Sequence, residues 1–173
     1  MPEISQTDQQ VSDGANLIIS MLVRYPEIGT INFNPEANSL KLTFMISGIP
    51  AAGDFESTKQ LIISSIAAYH MLEGITNISV AIELSSYEQV AMVTIIRDVQ
   101  TLTRGEINLT IKILRERFSE RLVADHNDAM LEEDLLFQEE VIEDMLENMR
   151  KQYNDHHNLI GIREDGRVFV FNK

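Results

Sequence analysis

The chain has 173 residues and a mass of 19.7 kDa, with 44% hydrophobic and 24% charged side chains, a mixture that fits a globular fold and excludes a disordered or collagen-like chain. Fourteen Lys and Arg against 27 Asp and Glu leave a net charge of −13, which opposes phosphate backbones and anionic lipid, so neither nucleic acid nor a membrane surface is an expected partner. The absence of cysteine excludes disulfides, thiolate nucleophiles and cysteine-held metals.

Residues 7–25 predict a helix, because Val11, Ala15, Ile18, Leu22 and Tyr25 share one face and Pro26 stops it. A hairpin follows. Ile31 and Phe33 alternate, 34–38 supplies turn residues, and Leu40, Leu42, Phe44 and Ile46 alternate again. The loop from Gly48 to Gly53 leads into a helix over about 54–73, ended by Gly74. Its two glycines have P-loop spacing, but Asp54 and Phe55 stand where that motif needs Lys and then Ser or Thr. Asp54 reads instead as a helix cap.

Ile78, Val80, Ile82 and Leu84 alternate as a third strand. Residues 90–96 form a nearly continuous apolar run, which reads as a strand covered on both faces. Residues 107–114 satisfy two patterns. Ile107, Leu109, Ile111 and Ile113 alternate, yet Ile107, Ile111, Leu114, Phe118 and Leu122 form a helical stripe. The capping box Thr103–Glu106 and the polar run Arg115-Glu116-Arg117 decide for helix.

These elements give an α+β fold. A helix precedes two ββα units, 30–73 and 77–124, whose antiparallel sheet of about four strands packs against helices over 1–124. The order α-ββ-α-ββ-α is similar to that of dimeric roadblock-like regulatory modules, which lack catalysis and bind partner proteins. Such modules usually carry one more strand than this order supplies.

Residues 125–173 form a second segment, an arm made of a long acidic helix and a terminal β-hairpin. Eleven acidic and two basic residues in 125–155 contribute −9 of the −13. No Gly or Pro interrupts 128–152, enough for a helix of about 38 Å. Its seam comprises Leu131, Leu135, Ile142, Met145, Leu146, Met149 and Tyr153, widened by Phe137 and Val141. Arg97, Arg104, Lys112, Arg115, Arg117 and Arg121 concentrate basic charge that would face this helix. Asp165-Gly166 between alternating apolar runs predicts a two-residue hairpin. Its register sets Glu164 opposite Arg167, Ile162 opposite Phe169 and Ile160 opposite Phe171, with the four apolar residues on one face. A lone hairpin is marginal in water, so that face needs a cover.

The expected function is therefore that of a non-catalytic, dimeric adaptor or regulatory protein without a cofactor. Leu135, Phe137, Ile142, Met145, Leu146, Met149, Ile160, Ile162, Phe169 and Phe171 would form its interface with a second copy or a protein partner. The alternative is a small Mg²⁺- or Mn²⁺-dependent hydrolase of a phosphorylated small molecule. Glu139, Glu140 and Glu143 fall within one helical turn, where hard cations bind. That reading needs a facing acidic helix, and Glu116 and Glu120 are interleaved with arginines. His126 and the pair His156-His157 flank the long helix too far apart to share a metal, and His70 stands by itself. The polar N-terminus lacks a basic leader and the most apolar windows, 17–23 and 61–72, are short, so the expected location is cytoplasmic.

Overall fold

The computed structural model describes residues 6–125, 130–151 and 158–172, with side chains from 13 onward. In chain order the elements are α1 (Gln6–Arg24), β1 (Ile28–Asn34), β2 (Ser39–Ser47), α2 (Ala52–Leu72), β3 (Val80–Tyr87), β4 (Val90–Asp98), α3 (Arg104–Phe118), a 3₁₀ turn (Ser119–Arg121), α4 (Glu132–Lys151), β5 (Leu159–Glu164) and β6 (Arg167–Asn172). Among the described residues the six strands form one antiparallel sheet in the order β3-β4-β2-β1-β5-β6.

The α+β class stands, but the expected four strands become six. The terminal hairpin joins the same sheet, with Thr30 opposite Ile162 and Asn32 opposite Ile160. The physical reason is mutual need. β1 has an edge of unpaired backbone groups, and a free hairpin cannot support itself. No local sequence signal announces such a long-range pairing. Within the hairpin the predicted register holds at all three pairs. Asp165 and Gly166 adopt φ of 52° and 75°, the left-handed pair that a type I′ turn demands.

One side of the sheet carries the helices. Ile82, Ile95, Leu42 and Ile31 form a buried row across β3, β4, β2 and β1, and the row continues through Gly161 and Val170. α1 lies across β1, β5 and β6, while α2 and α3 pack together beside β3. β4 is therefore covered by helices on one face only, against the expectation of two. Met92 and Ile96, on its other face, are half-buried between the neighbouring strands, and Thr94 is buried there.

Local chemistry sets the helix ends. Helix is the right choice for residues 107–114, but α3 ends at Phe118, short of the stripe that runs to Leu122, and both hydrogen bonds of the Thr103–Glu106 capping box are present. Asp54 is not a cap, because α2 starts two residues earlier behind Ala51. The carboxylate instead lies in the first turn, where it complements the helix dipole. α2 ends in a Schellman motif. Gly74 takes φ 77°, its N–H donates to Met71 at 3.0 Å, and the Ile75 N–H donates to His70 at 2.8 Å.

The acidic helix α4 packs on α1 of its own chain. Ile142, Leu146 and Met149 are buried in that contact. Arg24, the last residue of α1, donates to Glu139, so the α4 residues before Glu139 lie beyond the end of α1. Leu131, Leu136 and Phe137 are accordingly exposed. Tyr153, His126, His156 and His157 lie outside the described residues.

Candidate interaction surface

Strand alternation builds the surface. Residues of one parity turn toward the helices, and those of the other parity form an open face. On β5 and β6 this face carries Ile160 beside Phe171 and Ile162 beside Phe169. Ile160 and Ile162 are half-buried. Phe169 and Phe171 are 37% and 51% exposed, and their rings stack with centroids 6.2 Å apart. Thr30, Thr43 and Thr94 continue the Ile162 row toward β3. Lys41, Glu83, Asp98, Glu164 and Arg167 share this parity, and Asp98 is bonded to Arg97. The face is thus close to neutral in a chain of −13.

The hairpin is fixed to the body from its other side. Arg163 donates to the Leu22 carbonyl and, at 3.2 Å, to those of Tyr25 and Ile28. The bond to Leu22 satisfies a carbonyl that the end of α1 leaves without a helical partner. Burial lowers the Arg163 pKa, while Asp125 and Glu27 oppose that effect.

The expected interface residues separate into two sets. Ile142, Leu146 and Met149 are buried against their own chain, while Leu135 and Met145 are half-buried. Phe137, Phe169 and Phe171 are exposed, and Ile160 and Ile162 flank the phenylalanines. The structure therefore brings together the four hairpin residues and leaves Phe137 on a separate helical overhang.

The three glutamates of the metal-dependent alternative are placed differently. Glu139 accepts from Arg24 at 2.8 Å and from Arg104 at 2.9 Å. Glu143 stands 3.6 Å from Arg104, and Glu140 is exposed. Arg104 thus meets the acidic helix as expected, whereas Arg115 pairs with the buried Glu27 at 2.7 Å. Among the described residues no group of three His, Asp or Glu side chains is close enough to hold one metal ion. A cavity of about 330 Å³ between the start of α3 and α4 is lined by Glu143, Asp144 and Glu147 together with Arg104 and Arg150. Arg150 also donates to the Leu102 carbonyl.

A buried ionic cluster escaped the sequence reading. His70, Arg97 and Glu106 are each at most 1% exposed. Arg97 donates from Nε to Glu106 Oε2 at 2.7 Å and from Nη2 to Oε1 at 2.5 Å. His70 Nε2 lies 2.6 Å from Glu106 Oε1, which assigns the ring hydrogen to Nε2. Arg97 Nη1 reaches the Ser79 carbonyl at 2.8 Å and Asp98 at 2.5 Å. Burial opposes the Arg97 charge, but Glu106 and Asp98 more than offset this and raise its pKa. The cluster ties α2, β4 and α3 together away from solvent, which suits a structural clamp rather than a reacting centre. Its sequence signal was parity. Arg97 follows Ala91, Val93 and Ile95 on the buried side of β4.

No helix among the described residues is long and apolar enough to cross a membrane. The chain has no match among protein-family models, curated proteins or solved structures.

Proposed function

We propose that this protein is a non-catalytic, dimeric adaptor or regulatory protein. A second copy packs against the terminal hairpin, and a protein partner meets the acidic outer side of α4. The observation that carries the reading is the pair Phe169–Phe171, stacked and exposed on a sheet face that carries no helix among the described residues. Its near-neutral surroundings favour self-association, because two copies of the acidic remainder would repel each other.

The outer side of α4 offers Glu132, Glu133, Asp134 and Glu140 around the exposed Leu136 and Phe137. That combination suits a basic protein surface with an apolar centre. Cytoplasmic location is part of the same proposal.

Sedimentation equilibrium of the full chain at micromolar concentration tests the reading. The expected mass is twice the 19.7 kDa of one chain. The double variant Phe169→Ser/Phe171→Ser is expected to sediment as a single chain with unchanged circular dichroism. A wild-type mass of one chain at that concentration overturns the proposal.

A further inference from the structure

Strand β6 is an edge, since no strand lies on its outer side among the described residues. The type I′ turn closes with a hydrogen bond between Glu164 and Arg167. Opposed residues in an antiparallel pair alternate between bonded and non-bonded. The bonded pairs are therefore Glu164–Arg167, Ile162–Phe169 and Ile160–Phe171. The N–H and C=O groups of Val168, Val170 and Asn172 consequently point away from β5. They form a row of three donors and three acceptors, ready for another strand.

Natural edge strands usually carry a protective device such as a proline, a lysine, a bulge or an inward charge. β6 reads Arg-Val-Phe-Val-Phe-Asn, and its stretch from 168 to 172 has none of these, the charges of Arg167 and Lys173 lying on either side of it in the sequence. The opposite edge, β3, is different, because Glu83 lies near its middle. Pairing β3 with its own copy about that point would set Glu83 against Glu83, and like charges directly opposed are destabilising.

The sequence of β6 is also symmetric, since Phe169 and Phe171 flank Val170. Antiparallel pairing about Val170 sets Val170 against Val170 of the partner subunit and Val168 against Asn172 of the partner subunit. All three outward residues are then bonded. The same register sets Phe169 against Phe171 of the partner subunit in a non-bonded pair, where side chains approach most closely. Two stacked Phe pairs thus become one four-ring cluster on the open face. Centring on Phe169 instead would bond only two of the three residues.

We propose that β6 pairs with β6 of a second copy about a two-fold axis at Val170, joining two six-stranded sheets into one of twelve. The proposal rests on the dimeric reading above and specifies its geometry. α1 does not obstruct it. That helix is centred over β5, so the two copies of α1 stand about 14 Å apart at a strand spacing of about 4.8 Å. Packed helices lie at about 8–10 Å. The joined open face remains free along its whole length, and both α4 helices stay accessible to a protein partner.

The test uses the full chain and the variant Val170→Pro. Proline removes the outward N–H and is tolerated on an edge, because the bonds to β5 come from residues 167, 169 and 171. The expected result is a folded single chain. Amide hydrogen exchange on the wild type supplies a second readout that needs no variant. Val168, Val170 and Asn172 should exchange at least tenfold more slowly in concentrated than in dilute solution. Phe169 and Phe171 should not respond. A wild-type dimer that persists in the proline variant, with fast exchange at the three outward amides, overturns edge pairing and leaves the dimeric reading intact. A wild type that is a single chain overturns both.

Discussion

Glu106 is the residue on which several demands converge. It closes the capping box of α3, accepts both ends of the Arg97 fork and receives the His70 ring hydrogen. Replacing Glu106 by Ala strands a guanidinium that is 1% exposed. Loss of one partner from a buried pair costs about 3–5 kcal/mol, and urea denaturation should record a loss of that size. Glu106→Gln keeps an acceptor and should lose less. Asp98 contributes to the pH dependence. Burial by itself would raise its carboxyl, but hydrogen bonds from Thr101 and the Ser79 N–H, with Arg97 beside it, hold it below the usual range. Its contribution is complete above the unfolded value of about 3.9 and disappears as pH falls through the lower folded value. Thermal melting should therefore fall more steeply below pH 4 in the wild type than in Asp98→Asn. Equal slopes would remove Asp98 from the acid limb. Glu106 was legible as a cap from Thr103 three residues earlier. The role of His70 was not, because its partner Glu106 lies 36 residues away and meets it only through the packing of α2 on α3.

At the scale of elements, the contact between α1 and β5 shows how closely backbone is packed. A Cβ built on Gly161 would stand 2.1 Å from Ile18 Cγ2 and 3.0 Å from Leu22 Cδ1. Ile18 is β-branched and fully buried, so it cannot turn aside cheaply. Gly161→Ala should cost about 1–3 kcal/mol as an overpacked core site, read as a lower denaturation midpoint with an unchanged slope. The close approach also explains why this hairpin is docked rather than projecting. Its turn and register were legible because Asp165-Gly166 is a local signal with a fixed geometry. Its neighbour was not, because pairing with β1 depends on an edge more than a hundred residues earlier in the chain. The helix over 104–118 was legible for a local reason too, since the capping box outweighed an alternation that the same apolar residues also satisfy.

The described residues form a two-layer arrangement with helices on one side and a sheet face left open on the other. α4 is about 30 Å long at its 20 residues, and it lies along α1 instead of reaching outward. The acidic charge of the chain is thereby concentrated on the helical layer, and the open face is kept nearly neutral. A sheet that ends in a strand whose centre, Phe169-Val170-Phe171, is apolar and symmetric favours a two-fold assembly, because a closed pair removes the edge while a mismatched pair leaves one free. The local features came from sequence: the α+β class, the helix over 104–118, the apolar face of the hairpin and its register. Each follows from a periodicity or a turn whose residues lie within a few positions of one another. Tertiary structure decided how those pieces meet. It put the hairpin in the sheet, the seam of α4 against α1, and His70, Arg97 and Glu106 in one buried cluster, because each of these contacts is made between distant segments competing to bury the same faces.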